Sequence, residues 1–376
     1  MWLQKLKKEF KGEISTSQKI LKEHSTDASI FEVKPEVVVF PKTYDQVKFL
    51  VNFINKHKIN ASLTGRAAGT DMTGGPLTES IVVSFKYLNK IKKLSTKTAT
   101  VQPGLYYRDL EKQMNKIKVF YPSYPASKSL CALGGMIANN AGSEKTLNYG
   151  QTVDHVNKLK VVLSDGKLYE LGPLNKSQLD KKMKLKTFEG KIYRDMYKLC
   201  EDNYNIIKKA QPKVHKNSCG YFLWRVWDKE IFDLSKLFVG SQGTLGLWVE
   251  GNVNVVKKHK YSRLVTVYLK DLKKMTEIVN TVLKYKPESL ESFDKNTLML
   301  GLRFMPEIAK KVGQNLFSFL WSFRREAILT LTKGIPVFIV LVELTGDTKR
   351  EVADKASRLG KDLDTQSISN LIMKNE

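Results

Sequence analysis

From Thr64 to Leu77 the chain reads Thr-Gly-Arg-Ala-Ala-Gly-Thr-Asp-Met-Thr-Gly-Gly-Pro-Leu, with glycines at 65, 69, 74 and 75 and alanines at 67 and 68. Residues with so little side chain leave consecutive backbone N–H groups open to an anion, and such nests bind phosphate oxygens. A diphosphate suits the run best. Its spacing is neither the GxGxxG of a Rossmann turn nor the GxxxxGK[ST] of a P-loop, so nicotinamide-first binding and NTP hydrolysis both lose support. Taken alone, the segment also fits a mobile loop.

A second run, Leu133-Gly-Gly-Met-Ile-Ala-Asn-Asn-Ala-Gly142, weighs against that reading. Gly134 and Gly135 permit a flat ring to lie against the backbone. Asn139 and Asn140 offer amides that both donate and accept, as the edge of an isoalloxazine requires. A third run, Val239-Gly-Ser-Gln-Gly-Thr-Leu-Gly246, adds close backbone approach at a strand end. Several glycine loops serving one large ligand is more economical than several accidental ones.

Side chains capable of acid–base or metal chemistry are fewer. His24, His57, His155 and His259 have no second histidine or carboxylate at ligand spacing and read as solvated or packed groups. His215 differs because it adjoins Lys216-Asn-Ser-Cys-Gly-Tyr221, and it is a candidate general base for a substrate hydroxyl. Cys131, Cys200 and Cys219 are odd in number and far apart, so they imply no disulfide framework, CxxC pair or iron–sulfur cage. A reducing compartment follows, and no residue reads as a metal ligand.

The elements that must carry these loops show in the periodicity. Residues 1 to 24 read as an amphipathic helix with a connector, and Lys34 to Pro41 as a buried strand stopped by proline. A helix capped by Thr43 carries Val47, Leu50, Val51 and Ile54, and Ile59 to Leu63 follows as a strand, which makes a βαβ unit. Strands at 81 to 85 and 98 to 103, a helix from Tyr107 to Met114, a hairpin from Lys158 to Leu171 turning at Ser164-Asp-Gly166, a helix from Lys191 to Lys209 and strand character from Leu237 to Val256 complete an α+β domain ending near 257. Strands at 264 to 269, 288 to 293 and 336 to 344 alternate with helices at 272 to 285, 297 to 312 and 348 to 363 in a second unit that ends on a helix.

Composition bounds the whole. The chain has 376 residues, 42% hydrophobic and 27% charged, which suits two or three packed domains and argues against wholesale disorder. The net charge of +25 raises the question of nucleic acid, but the excess is lysine spread over every segment, with 10 arginines among 63 basic residues. Base readers favour the arginine fork, so no specific nucleic acid is expected. The start alternates apolar and charged residues too closely for a signal peptide, and the apolar stretches 316 to 323 and 335 to 344 fall short of the ~20 residues a spanning helix needs. A cytoplasmic protein is expected, with peripheral contact at the inner face of the membrane allowed.

In order and spacing, Ser25-Thr-Asp-Ala-Ser29, the 64 to 77 loop, Val101-Gln-Pro-Gly104, the 133 to 142 run, Tyr149-Gly150, the 158 to 166 strand and turn, Lys216 to Tyr221 and Gly240 to Gly246 resemble the FAD-binding domain of FAD-linked oxidases. The most similar branch contains D-lactate dehydrogenase and the glycolate oxidase flavin subunit, within the vanillyl-alcohol oxidase superfamily. The match covers residues 25 to 256 well and 262 to 361 weakly. It implies an α+β fold: a PCMH-type, two-subdomain FAD-binding domain over 31–257, preceded by an N-terminal helical segment over 1–30 and followed over 258–376 by a partial cap domain with an antiparallel sheet.

The resemblance further implies non-covalent FAD, with Arg66, Ala67, Ala68, Gly69, Thr70, Gly74 and Gly75 around the diphosphate. Gly134, Gly135, Ile137, Asn140, Ala141 and Gly142 would line the flavin and ribityl chain, and Gly246 would close the adenine side. Lys216, Asn217 and Tyr221 would lie near the reactive face, which makes Lys216 and Tyr221 catalytic candidates beside His215. Gln242 stands where Glu is commoner, and Asp71 where Gly is usual, so the Asp71 carboxylate must turn away from the phosphates.

The implied activity is oxidation of a small 2-hydroxy acid of the D-lactate or glycolate type by hydride transfer to flavin N5, with the electron acceptor open. An enolpyruvyl-sugar reductase of cell-wall synthesis and a catalytically silent FAD-binding subunit stand as alternatives. Relatives carry a later GDGN-type segment with metal-binding histidines and an upstream arginine, and Glu376 is reached without them. The chain therefore reads as an incomplete gene product or as one that completes its substrate site with a partner subunit.

Overall fold

The computed structural model describes residues 2–365 and 369–372, so the last residues of the segment expected to run to Glu376 lie outside the described residues. The chain divides into two compact units, one ending at Lys258 and the other beginning at His259.

The first unit is built on a four-stranded and a five-stranded sheet, with two further two-stranded pairs. Val37–Phe40 is buried at every position, as a strand covered on both faces must be. After Pro41 the Thr43 hydroxyl accepts the Gln46 N–H at 3.2 Å and starts the helix Tyr44–His57, which sends Val47, Leu50 and Phe53 into the core. The sheet order is Glu13–Ser15, Val37–Phe40, Ile81–Ser84, Leu63–Arg66, with both pairings of Ile81–Ser84 parallel. A third strand thus enters between the two of the βαβ unit. The last of them begins at Leu63 rather than Ile59, because the Ile59 N–H still bonds the Ile54 carbonyl at the helix end.

The N-terminal segment is part of this layer and not a separate helical piece. Leu6 and Phe10 are buried in the same core, and Glu13–Ser15 pairs antiparallel with Val38, Val39 and Phe40. The second sheet is antiparallel, in the order Ile91–Leu94, Thr98–Val101, Leu247–Asn254, Val156–Val162, Leu168–Leu171. Gly166, at φ 72°, turns its outer hairpin. Tyr107, Leu110 and Met114 of the helix Tyr107–Lys116 fill its core. The expected helix from 191 to 209 is two, Phe188–Asp202 and Tyr204–Lys209, broken at Asn203.

The second unit is a four-stranded antiparallel sheet in the order Ser289–Asp294, Phe338–Gly346, Tyr261–Leu269, Ser369–Ile372. Helices Met275–Leu283 and Lys349–Thr365 cover it, burying Ile278, Val282, Val352, Ala356, Leu359 and Leu363 against the valines of its central strands. The sheet does not end on the helix, as the sequence suggests: Ser369–Ile372 adds a strand along Val265–Tyr268. Both units mix helices with largely antiparallel sheets, an α+β architecture.

Candidate cofactor-binding cleft

The strand Leu63–Arg66 delivers the first glycine loop at its C-terminal end, where it meets the helix Leu133–Ala138 and the loop 240–246 around one open cleft of about 880 Å³. That volume lies in the range of cofactor pockets, roughly 300 to 1,000 Å³. All its lining residues belong to the first unit.

Four consecutive amides, those of Ala67, Ala68, Gly69 and Thr70, have no acceptor among the described residues, and all four residues line the cleft. Buried or half-buried N–H groups are rarely left without a partner, so the row marks a seat for an anion. Gly69 adopts φ 69°, and a Cβ there would stand 2.2 Å from the Arg66 guanidinium. The Arg66 side chain thus lies behind the loop. It donates to the Thr26 carbonyl at 2.8 Å and the His24 carbonyl at 3.4 Å, holding the loop against residues 24–26. Arg66, expected with these residues around the diphosphate, lies outside the cleft lining.

Asp71 turns into its own loop. Its Oδ2 accepts the N–H of Thr73 at 3.0 Å, the Thr73 hydroxyl at 2.7 Å and the N–H of Gly75 at 2.8 Å, while Oδ1 accepts the Asn139 amide. Burial pushes its pKa up, yet these four hydrogen bonds outweigh it and hold the carboxyl below the usual range. Gly75 lines the cleft, but its N–H is committed to Asp71. Gly74, at φ 85°, faces the Phe31 ring and lies outside the lining.

The two glycines of the second run play different parts. A Cβ on Gly134 would meet the Ala67 methyl at 2.7 Å and the Pro103 carbonyl at 2.9 Å, so its bareness lets the helix touch the first loop. A Cβ on Gly135 would meet nothing within 4 Å, because that face opens into the cleft. A planar ring can approach there. Ala141 and Gly246 also line the cleft, as do Asn139, Cys131 and Trp248.

Ile137, Asn140, Gly142 and Asn217, also expected near the ligand, lie outside this lining. Ile137 is fully buried toward the antiparallel sheet near Gly251, and its carbonyl accepts the Gly240 N–H at 2.9 Å. Asn140, at φ 46°, spends its side chain on the backbone: Nδ2 donates to the Asn217 carbonyl at 3.0 Å and Oδ1 accepts the Val153 N–H at 2.9 Å. A Cβ on Gly142 would meet the Thr146 hydroxyl at 2.7 Å. The Asn217 N–H donates to Gln151 Oε1 at 2.6 Å. The sequence placed the paired asparagines together, and the helix end separates them: Asn139 faces the cleft, Asn140 the interior.

Of the catalytic candidates, Tyr221 lines the cleft with its hydroxyl 2.7 Å from Thr244 Oγ1. His215 and Lys216 are exposed and lie outside the lining, which begins at Ser218. Gln151 and Asn140 anchor the Asn217 backbone, and the Lys216 stem lies beside Gly142, where an added Cβ would meet its Cε at 3.3 Å. Cys219 also lines the cleft, a position the sequence reading left aside. Thr244 and Met72 were likewise missed, since a threonine and an exposed methionine carry no motif signal. Among the described residues, no group of three or more His, Cys, Asp and Glu is placed to hold a metal ion.

A family described as "FAD binding domain" matches residues 35–172. The chain is 27% identical over 351 residues to D-2-hydroxyglutarate dehydrogenase of Pseudomonas putida, covering 92% of this chain and 34% of that protein. It is 27% identical over 276 residues to glycolate oxidase subunit GlcD of Bacillus subtilis, covering 72% of this chain and 48% of the relative. It therefore spans about a third to a half of the curated relatives it matches. Among solved structures, an alkyldihydroxyacetonephosphate synthase shares the fold with TM-score 0.68 and 16% identity, over 98% of this chain and 60% of that one. A p-cresol methylhydroxylase does so with TM-score 0.61 and 15% identity, over 96% and 62%. The free amides of 67–70 and the open face of Gly135 fit the diphosphate and ring of FAD. Motif order, family match and fold agree: the chain carries an FAD-binding domain over 35–172, it is similar to FAD-dependent hydroxy-acid dehydrogenases and oxidases, and its cofactor is FAD.

Proposed function

We propose that this chain is the flavin-binding part of a dehydrogenase for small 2-hydroxy acids of the glycolate, D-lactate or D-2-hydroxyglutarate class. The observation that carries the reading is the pairing, in one cleft, of four unpartnered loop amides with a helix face left bare at Gly135. The relatives named for hydroxy-acid oxidation, at 27% identity, supply the substrate class.

When bound, FAD would supply the acceptor for the hydride, and with it the two electrons, leaving an alcohol carbon, while the hydroxyl proton goes to a base. The protein's part is positioning and proton handling. The 67–70 amides hold the diphosphate charge, and Pro103, Ala132 and Trp248 exclude water from the cleft walls. The Thr244 hydroxyl donates to the Ser241 carbonyl at 2.6 Å and so accepts from Tyr221, which leaves the Tyr221 oxygen at the cleft wall placed to accept a hydrogen bond from a substrate hydroxyl. His215 and Lys216 retain a role only if the exposed segment before Ser218 turns inward. We further infer a FAD-binding domain over 31–257 and a partial cap over 258–376. A partner polypeptide completing the substrate site is consistent with the glycolate oxidase relative's being named a subunit.

Anaerobic mixing of the yellow protein with D-2-hydroxyglutarate, glycolate and D-lactate tests the reading, with dithionite as the full-reduction control. Bleaching by one of the three supports it. Bleaching by dithionite alone would leave this chain a FAD-binding subunit without a hydroxy-acid site of its own.

A further inference from the structure

Between Asp294 and Phe338 the second unit sends out four short helices, Lys295–Arg303, Met305–Val312, Leu316–Ser322 and Arg324–Lys333. The excursion leaves and re-enters the sheet at one point, where the Lys295 N–H bonds the Val337 carbonyl at 2.9 Å. Among its described side chains, Ala309 is the only buried hydrophobic. Phe317 is 78% exposed, Trp321 61% and Leu331 86%, and Leu316, Leu320 and Phe323 are exposed with them. Phe317 and Trp321 stack at 6.4 Å between ring centroids on the same side of one helix turn.

A contiguous apolar surface of this kind marks an interaction site. The charge around it says of which kind. Residues 295–335 hold seven basic side chains and two acidic ones, within a chain of net charge +25. Arg324 lies over the Trp321 ring at 5.4 Å and Arg303 over Phe304 at 5.8 Å, so cations rim the aromatics. Protein interfaces of comparable aromatic content are depleted in lysine, whereas Lys310 and Lys311 sit directly beside Ile308 and Val312. Apolar and aromatic residues interleaved with Lys and Arg on short helices are the composition of segments that lie in the headgroup layer of an anionic bilayer. The helices have 9, 8, 7 and 10 residues, far short of the ~20 a span requires, so they lie on the surface rather than cross it.

We propose that residues 295–335 form a peripheral docking surface for an anionic lipid bilayer, with Phe317 and Trp321 entering the interface and Lys310, Lys311 and Arg324 facing the headgroups. The proposal is independent of the hydroxy-acid reading, since it rests on the second unit alone.

The FAD-loaded chain is floated with vesicles of pure phosphatidylcholine and of phosphatidylcholine containing phosphatidylglycerol. Flotation with the anionic vesicles, weakened by salt, is expected. Each cation near such a surface contributes roughly fivefold to partitioning, so Lys310→Gln with Lys311→Gln should weaken binding at least tenfold. Phe317→Ser with Trp321→Ser should abolish it, with flavin content unchanged. Brominated lipid should quench the tryptophan emission of the parent, and Trp321→Phe, which keeps the ring bulk, should remove that quenching. Absence of flotation, or flotation indifferent to both double variants, would overturn the proposal. So would lipid-free self-association that the Phe317 and Trp321 changes dissolve, because the occupant would then be a second copy of the chain.

Discussion

At the residue scale, adjacent glycines make separable predictions. Gly134→Ala forces a methyl into the Ala67 and Pro103 contacts and should destabilise the protein by about 1 to 3 kcal/mol while lowering FAD affinity. Gly135→Ala adds a methyl to open space on a helix, which should raise the stability of the flavin-free protein by roughly 0.5 to 1 kcal/mol. It should nevertheless weaken FAD binding, because that methyl occupies the ring's approach. Denaturant melts of the apoprotein and flavin titration separate the two; undiminished FAD affinity in Gly135→Ala would move the ring elsewhere. A covalent tether is testable in the same way. The cleft lining contains no histidine, and burial pushes the Cys131 thiol up to about 12, leaving little thiolate. Acid precipitation should release all the colour. A yellow pellet would point first to Cys219, which is exposed at the cleft wall.

At the element scale, three loops converge because a few side chains join them. Gln151 is buried and bridges two of them, its Oε1 accepting the Asn217 N–H at 2.6 Å and its Nε2 donating to the Asn140 carbonyl at 2.9 Å. Gln151→Ala leaves these backbone groups unsatisfied and should cost roughly 1 to 3 kcal/mol in urea melts. The segment it anchors carries Lys213 and Lys216, so tryptic cleavage there should accelerate ahead of global unfolding. Unchanged cleavage would mean that the segment is held by something other than this bridge. The loop 240–246 docks on the helix Leu133–Ala138 through backbone, with the N–H groups of Gly240 and Gln242 on the carbonyls of Ile137 and Ala138, both at 2.9 Å. A sequence motif cannot reveal such a contact, since any side chain with the right φ supplies the same N–H.

At the scale of the whole molecule, acid should loosen the first unit well above the carboxylate range. Burial lowers the pKa of His155, against the raising effects of its 2.8 Å bond to the Tyr149 carbonyl and of Asp154. Burial likewise lowers that of His24, which contacts the Ile20 carbonyl at 2.9 Å and lies near Arg66. Both folded values lie below the unfolded one of about 6.5, so between them the unfolded chain binds more protons. Stability is complete above about 6.5 and falls as pH drops from there toward the folded values. Melting temperature followed downward from neutral pH should decline from that point, and His155→Gln should flatten part of the decline. A profile level down to the carboxylate range would refute the assignment.

What the sequence determined by itself is local and repetitive. Buried strands such as Val37–Phe40, the Thr43 cap, the 164–166 turn and the glycine runs each follow from a few adjacent residues, and the ordered set of motifs carried the family with them. What the tertiary structure decided is direction and company. Whether Arg66 points to a ligand or behind its loop, whether Asn139 or Asn140 faces the cleft, and whether Lys216 lies inside or outside it depends on hydrogen bonds to Thr26, Asp71, Gln151 and Asn217. Several of those partners stand dozens of residues away in sequence. Propensity and spacing fix which backbone conformations are cheap, but the partner that satisfies a polar side chain is chosen only when distant loops are brought together.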